Sequence, residues 1–487
     1  MNKYFIVVII TFCSFHSFAQ HEYSVDLKKA YDEFLKLRVD SGVSILKKYE
    51  HKHKNNGVAI LLENYADVIR LAVSENPDLY EVLKKNEKIR IQNIEKIDPK
   101  SPYHNYILGE IYLQWGIIKA KFGNEVEGAR DIVRAYNLFQ ENEKKFPDFI
   151  YHKKSLGALH IILGSIPDNY KWVARMLGFN PDILLGIKEM KQVFESNNAV
   201  RSEAFLLYEG LKYFLLKERR EEPVELNRFL GNNSDNLAAM YLYVGVLRKF
   251  NRGEMALVVL DNFQINDKYI NFPYNKYIKG NLLLQKGKYE EAAQDFKVFI
   301  DLFDGKNYKK DACYKIFLAY SIQGKTNEAL EYFNYISEIG QAVTEPDKIA
   351  EKAAKEKPYM DVRLVRARLL CDGGYITEAA SILHGLTAND FPNQKDKTEF
   401  YYRIGKIYEL RKEEVKAIPF YEKAIKIQGN EKYYFAPNAC LTIGYILLKT
   451  DPQKAYEYFK RVFEYSDYEY EGSINAKAKA ALHELKK

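Results

Sequence analysis

The residues with the most reactive side chains are few, and none has the neighbours that a catalytic or metal site needs. His51 and His53 are spaced like two metal ligands, but lysines alternate with them and would repel a cation. His483 is followed by Glu484 but lacks the second histidine of a zinc-protease helix. We therefore expect no metal site at either position.

The remaining candidates are expected to be packing residues. His160 and His384 occupy helical positions with no acidic residue within one turn. After Cys13 the chain has three cysteines whose spacing resembles no metal or redox motif, so they are expected to fill the core; they are Cys313, Cys371 and Cys440. The sequence contains no glycine-rich phosphate loop and no nucleophile elbow. It therefore predicts a protein without cofactor, metal or enzymatic activity, because an enzyme would need a site assembled from distant residues.

The charge pattern argues against nucleic acid as a partner. The chain of 487 residues carries a formal net charge of +7, and basic and acidic residues are interleaved along it. This pattern is typical of the solvated surfaces of long helices, whereas a nucleic-acid site gathers basic residues in one patch.

The first 19 residues have the pattern of a secretory signal peptide. Lys3 supplies the basic start, residues 4–15 form a largely apolar run, and Ser17-Phe18-Ala19 is a small-x-small cleavage site. A transmembrane helix needs about 20 consecutive apolar residues, and neither this run nor any later stretch approaches that length. The sequence predicts an exported protein, periplasmic or secreted, whose mature chain begins at Gln20.

Helical spacing of apolar residues recurs along the chain, and in the C-terminal half it repeats with a regular period. The clearest unit reads Tyr401-x2-Ile404-Gly405-x2-Tyr408, followed by Ala417-x3-Tyr421. Gly405 and Ala417 suit the close crossing of two helices, and large apolar residues fill the space around it. Six successive units have alanine at the second crossing position, at intervals of 36, 37, 50, 38 and 38 residues: Ala256, Ala292, Ala329, Ala379, Ala417 and Ala455.

These units resemble tetratricopeptide repeats (TPRs), which are two-helix units of about 34 residues that stack into a solenoid. The resemblance implies an all-α fold, a TPR-like α-solenoid of stacked antiparallel helix hairpins. We predict a regular array over residues 236–466 and a C-terminal capping helix within residues 467–487. Residues 20–235 show the repeat pattern less clearly, and we predict irregular hairpins with longer helices there.

Two segments depart from the repeat. The 50-residue interval contains an insert, residues 341–358, whose apolar spacing predicts a short extra helix. Residues 163–179 cluster Tyr170, Trp172 and Phe179 after an apolar stretch. We interpret these aromatic residues as a plug between the irregular half and the regular array, with an aromatic rim that grips a ligand as the alternative.

The resemblance also implies a binding surface, because the inner faces of the first helices of TPR units line a concave groove. Tyrosine suits such a surface, since it combines a large contact area with a polar tip. Packing between repeats explains several of these tyrosines equally well. The residues projected onto the inner face are Tyr274, Tyr277, Asn281, Tyr314, Arg368, Tyr402, Lys406 and Tyr445.

Together these patterns favour an exported, non-enzymatic TPR scaffold that binds a protein or peptide on its concave face. The alternative is a glycan-binding helical protein of the envelope. A solvent-exposed pair of aromatic platforms would favour glycan, and an apolar groove with scattered charges would favour peptide.

Overall fold

Every regular element that the structure describes is helical. The computed structural model describes residues 22–53, 55–166, 175–216, 222–356 and 359–485. The predicted signal segment lies outside these ranges, as do Tyr170 and Trp172. Among the described helices, none combines the length and the apolar character that crossing a membrane requires.

Twenty-four α-helices follow one another in the described ranges. The first twelve are α1 (Val25–Leu35), α2 (Val39–Glu50), α3 (Gly57–Ser74), α4 (Pro77–Ile94), α5 (Pro102–Lys121), α6 (Glu125–Lys145), α7 (Tyr151–Gly164), α8 (Ile183–Glu195), α9 (Arg201–Gly210), α10 (Val224–Asn232), α11 (Leu237–Lys249) and α12 (Gly253–Asn262). The second twelve are α13 (Tyr274–Lys286), α14 (Tyr289–Leu302), α15 (Lys309–Ile322), α16 (Thr326–Tyr335), α17 (Glu345–Ala354), α18 (Val362–Gly373), α19 (Ile376–Leu383), α20 (Gln394–Leu410), α21 (Glu414–Gln428), α22 (Phe435–Leu447), α23 (Pro452–Arg461) and α24 (Glu471–Leu485).

The helices form two compact units. The N-terminal unit comprises Met1–Val246, Val259–Phe272 and Phe303–Gly305, and the C-terminal unit comprises Leu247–Val258, Pro273–Leu302 and Lys306–Lys487. Within each unit, helices that are consecutive in sequence pack on one another, as α5 packs on α6 and α20 on α21. This succession of helix hairpins confirms the predicted all-α, TPR-like α-solenoid fold class.

Helix crossings in the C-terminal unit place a glycine of one helix against an aromatic ring of the next. The pairs, with the distance from a Cβ built on the glycine to the nearest ring atom, are Gly280 with Phe296 (3.0 Å), Gly405 with Tyr421 (2.8 Å) and Gly444 with Phe459 (2.5 Å). A side chain on these glycines would collide with the ring, so the close approach requires glycine. Phe317 is the large residue at this position, and its ring lies 4.8 Å from that of Phe333.

The N-terminal unit has close helix crossings of the same kind, between longer helices. A Cβ on Gly109 would lie 2.5 Å from the ring of Phe139, and one on Gly128 would lie 2.5 Å from the carbonyl oxygen of Gly116. Helices α5 and α6 have 20 and 21 residues, whereas α13 and α14 have 13 and 14. The prediction of longer helices in this half is confirmed.

A buried ionic cluster joins five helices of the N-terminal unit. Lys154 on α7 is 1% exposed, and its Nζ lies 3.0 Å from a carboxylate oxygen of Glu110 and 2.7 Å from one of Glu203. The ammonium also donates to the hydroxyl of Tyr65, and the hydroxyl of Tyr31 donates to Glu203. Burial raises the pKa of Glu110, although the charge of Lys154 opposes that rise. Since α1, α3, α5, α7 and α9 each supply one group, the cluster fixes these helices together.

Other sequence predictions had mixed outcomes. The insert contains α17 and the C-terminal segment contains α24, so both predicted helices are confirmed. The three described cysteines are buried, and burial raises the pKa of each to about 12, as their packing role predicts.

His384 is exposed, so its predicted core position was wrong. Helix α19 ends at Leu383 and the chain becomes extended there. In the 163–179 segment, Phe179 is buried with its ring 4.9 Å from that of Tyr136.

The buried cluster gives one stability prediction. Lys154→Met leaves the buried carboxylate of Glu110 and the partly exposed carboxylate of Glu203 without their counter-charge, which should cost about 3–5 kcal/mol in the free energy of unfolding. Because burial raises the pKa of Glu110, the folded state keeps a proton that the unfolded chain has lost. The variant should therefore lose further stability as the pH rises from about 5 to about 8.

Urea unfolding at both pH values measures the two effects. Lys28→Met is the control, since it breaks the exposed pair with Asp32 at 3.2 Å and should cost under about 1 kcal/mol. Equal losses in the two variants would show that the cluster does not hold the unit together.

The crossing geometry gives a second stability prediction. Gly444→Ala places a methyl group against the buried ring of Phe459 and should cost about 1–3 kcal/mol. Gly472→Ala is the matched control, because Gly472 has no atom within 4 Å of its built Cβ. That change should be neutral or stabilising by up to about 1 kcal/mol, given the helix propensity of alanine. Differential scanning calorimetry should separate the two by sign, and a stable Gly444→Ala variant would refute the steric argument.

Candidate partner-binding groove and cavity

The eight residues predicted to line the groove lie on α13, α15, α18, α20 and α22 of the C-terminal unit. Three of them are buried: Tyr277, Asn281 and Tyr402. Five are partly exposed: Tyr274, Tyr314, Arg368, Lys406 and Tyr445. The buried three offer a partner little area, whereas the other five are partly accessible. Binding of a partner to these residues stays a prediction.

Tyr277 belongs to a polar network between α13 and α15. Its hydroxyl donates to Asp311 Oδ2 at 2.6 Å and accepts from Lys315 Nζ at 3.1 Å. Lys315 also pairs with Asp311, and its ammonium lies 4.8 Å from the centre of the Tyr277 ring. Burial lowers the pKa of Lys315, and Asp311 opposes this shift. Because these three groups satisfy one another, the network holds the two inner helices at a fixed spacing.

A second network joins α20 and α22. Arg403 Nη2 lies 2.8 Å from Glu399 Oε1 and 2.6 Å from the hydroxyl of Tyr434. The guanidinium carbon is 5.2 Å from the centre of the Tyr402 ring, and Asn438 donates to the hydroxyl of Tyr402. The charge of Arg403 is therefore already paired with a carboxylate of the protein itself.

The C-terminal unit contains a cavity of about 180 Å³, partly open to solvent, that is lined by residues of α15, α18, α20 and the insert helix α17. Eight aromatic residues line it: Tyr314, Phe317, Phe333, Tyr359, Tyr433, Tyr434, Phe435 and Tyr470. Eight charged residues line it as well: Lys352, Glu356, Asp361, Arg368, Lys395, Asp396, Glu399 and Glu469. Two residues predicted from the sequence, Tyr314 and Arg368, thus meet in one cavity wall.

Two tyrosines of this wall are exposed to solvent. Tyr359 is 58% exposed and Tyr470 is 45% exposed. The hydroxyl of Tyr359 donates to Asp396 at 2.6 Å, and this bond raises the pKa of Tyr359 to about 12. The ring of Tyr470 meets that of Tyr434 edge-on, with centroids 5.7 Å apart. Neither residue is predicted from the sequence, because both lie just before α18 and α24, outside the repeat frame.

The insert is fastened to the array by Asp347, which is fully buried. Its carboxylate accepts from the backbone N–H groups of Tyr308 at 2.6 Å and Asp311 at 3.1 Å, at the start of α15. It also accepts from the hydroxyl of Thr344 at 2.6 Å. The first turn of a helix has unpaired N–H donors and a positive end, so it favours a carboxylate. Helix α17 is thereby held against α15, where it forms one wall of the cavity.

A second cavity adjoins the first. It has a volume of about 530 Å³ and lies between α17 and residues 467–473. Four residues belong to the walls of both cavities: Ile349, Lys352, Glu469 and Tyr470. Lys352 Nζ and Glu469 Oε1 form an ion pair of 3.3 Å at this boundary. The two cavities are therefore neighbours that share one boundary.

Elsewhere in the described ranges, the potentially reactive residues have surroundings that suit a structural role. His160 is 3% exposed, with Nδ1 at 2.7 Å from Glu189 and Nε2 at 3.2 Å from the hydroxyl of Tyr136. This arrangement satisfies a buried imidazole but has no access for a substrate. His51 and His53 are exposed, and the described residues contain no group of three or more side chains placed to hold a metal ion.

Comparison with known proteins agrees with the repeat pattern. A tetratricopeptide repeat family model matches residues 398–431, which cover most of α20 and all of α21. DnaJ homolog subfamily C member 3 of Bos taurus is 25% identical over 228 residues, 47% of this chain and 43% of the relative. The Homo sapiens protein of the same name is 25% identical over 227 residues, with the same two shares. The chain thus spans less than half the length of the curated relatives it matches.

Among solved structures, the P58(IPK) TPR domain aligns with 85% of this chain and 97% of its own. The identity is 14% and the TM-score is 0.22, too low for the two structures to be compared residue by residue. The chain contains a tetratricopeptide repeat at residues 398–431. The glycine–aromatic crossings show hairpins of the same design before and after that repeat.

Proposed function

We propose that the protein is a non-enzymatic scaffold whose C-terminal unit binds a segment of a partner protein in the cavity and along the inner helices. The observation that carries the proposal is the cavity wall, in which eight aromatic and eight charged side chains line one cavity. Aromatic rings with nearby polar groups are typical of surfaces that recognise protein segments. The matched repeat at 398–431 contributes Glu399 to this wall.

A glycan is the second candidate ligand, and a specific observation favours it. Tyr359 and Tyr470 expose their rings on the same cavity, and exposed aromatic rings also stack on sugars. The dense mixture of positive and negative side chains favours the protein partner, because both signs of charge find counterparts on a polypeptide.

The experiment is a quantitative pull-down with the mature chain, residues 20–487, from an envelope extract of its own cells. A variant carrying both Tyr359→Ser and Tyr470→Ser removes the two exposed rings. Aromatic anchors at interfaces are commonly worth more than about 1–2 kcal/mol, so capture of the partner should fall about tenfold or more. Circular dichroism checks that the variant remains folded.

Val415→Ser is the matched control. Val415 is 77% exposed on α21 and does not line either cavity, so its loss should leave capture unchanged. Equal capture by the native chain and the tyrosine variant would show that the cavity is not the binding site. Retention of polysaccharide alone would establish the glycan alternative.

We also propose that residues 1–19 direct export, on the basis of the basic start, the apolar run and the small residues before Gln20. Mass spectrometry of the protein purified from its own cells should find a mature N-terminus at Gln20 in the envelope fraction. A chain that keeps its first residues and stays in the cell interior would refute export without affecting the binding proposal.

A further inference from the structure

The wall of the cavity carries more negative than positive side chains. Its five carboxylates outnumber its three cationic groups. Three of the carboxylates have a cationic partner: Glu399 pairs with Arg403 (2.8 Å), Asp361 with Arg363 (2.6 Å) and Glu469 with Lys352 (3.3 Å). The other two, Glu356 and Asp396, form no ion pair with any residue that the structure describes. The cavity therefore holds negative charge that no cation of the described chain pairs with.

Asp396 is the more enclosed of these two carboxylates. It lies in the first turn of α20 and is 5% exposed. The hydroxyl of Tyr359 donates to its Oδ2 at 2.6 Å, and the side-chain amide of Asn393 donates to the same oxygen at 2.8 Å. Its Oδ1 accepts no hydrogen bond within the described part of the chain. A nearly buried carboxylate oxygen without a donor is costly, so a ligand that brings an N–H group to it would be stabilised.

Aromatic rings and further negative charges surround this carboxylate. Burial raises the pKa of Asp396, and the charges of Glu399 and Asp361 add to that rise, whereas its two hydrogen bonds oppose it. Burial also raises the pKa of Tyr433, and the negative charges that raise it further include three of the cavity wall: Glu356, Asp396 and Glu469. The exposed ammonium of Lys395 lies 5.6 Å from the centre of the Tyr433 ring. This end of the cavity thus combines negative charge with ring faces, and both attract a cation.

The size of the cavity limits the shape of this cation. Its volume of about 180 Å³ equals the share of about six water molecules in the liquid, at about 30 Å³ each. A lysine side chain carries a compact ammonium with three N–H donors on a slender four-carbon stem. The ammonium can supply the donor that Oδ1 of Asp396 lacks, and the rings of the wall would cover the stem.

We infer that Asp396, with the rings of Tyr359 and Tyr433, forms a cation subsite that receives the ammonium of a lysine side chain in the bound segment. The inference rests on the proposed function, because it names the chemistry by which the scaffold recognises its partner. The free amino group at the beginning of a partner chain would present the same chemistry, and the experiment below distinguishes the two sources.

The test uses three small peptides and isothermal titration calorimetry on the whole mature chain. The first is acetyl-Ala-Lys-Ala-amide. The second is acetyl-Ala-norleucine-Ala-amide, which keeps the aliphatic stem but lacks the ammonium, and the third is Ala-Ala-Ala-amide with a free amino end. The lysine peptide should bind about tenfold more tightly than the norleucine peptide, because it adds a hydrogen bond to a charged group. The preference should shrink as salt is raised.

Three variants assign the preference to its source. Asp396→Asn keeps an acceptor for Tyr359 but removes the charge, so it should abolish the preference for lysine. Glu414→Gln is the matched control, because it removes one exposed carboxylate on α21 that lines neither cavity, and it should behave like the native chain. Lys395→Gln removes an exposed like charge beside Tyr433 and should tighten binding of the lysine peptide at low salt. Circular dichroism on each variant separates loss of binding from loss of fold.

Equal binding of the lysine and norleucine peptides would overturn the subsite. A lysine preference that survives Asp396→Asn would overturn it too, and so would weaker lysine binding by Lys395→Gln. A stronger response to the free amino end would keep the cation subsite and assign it to the beginning of the partner chain.

The two proposals can fail separately. The pull-down variant leaves Asp396 in place and reports on capture of the natural partner, whereas the peptides report on the ammonium alone. Loss of capture there without a lysine preference here would overturn only the subsite, and the reverse result would overturn only the scaffold function.

Discussion

The close crossing of two helices, with a small residue on one and an aromatic ring on the other, is the constraint on which the array depends. Gly444 and Phe459 show it most tightly, because a single methyl group on the glycine would enter the ring. Each crossing fixes the rotation of a helix about its own axis as well as its distance from its neighbour. Repetition of the crossing therefore brings equivalent positions of α13, α15, α18, α20 and α22 to the same inner surface.

The cavity lies where this constraint is relaxed. Phe317 occupies the position that a small residue has at the other crossings. Phe317 and Phe333 both line the cavity. Two rings at a crossing take up more volume than a glycine and a ring. The insert follows this hairpin in the sequence, and its helix α17 lines the same cavity. A departure from the repeat pattern thus coincides with the proposed site.

The spacing of residues in the sequence predicted the structural features that depend on a single helix or a single hairpin. The fold class, the crossing residues, the helix in the insert and the burial of Cys313 all follow from period and residue size. Spacing did not reveal contacts between segments that are distant along the chain. Nothing near Asp347 signals that its carboxylate caps α15, and nothing near Lys154 signals two glutamates on other helices. For the same reason, the positions of Tyr277 and Tyr402 within their repeats predicted an inner surface, but both residues are buried. The neighbours that bury them cannot be inferred from position in the repeat.

Attachment of the insert and the proposed recognition of a partner by the cavity use different parts of the chain. Asp347 bonds to backbone N–H groups of α15, which any residue except proline supplies, so the attachment places little demand on the side chains nearby. The polar networks around Asp311 and Arg403 then satisfy the charges that hold the inner helices. Arg368 and the exposed tyrosines line the cavity and supply no side chain to the glycine–aromatic crossings. Under the proposed function, ligand preference can therefore change at these positions while the crossings and the insert stay as they are.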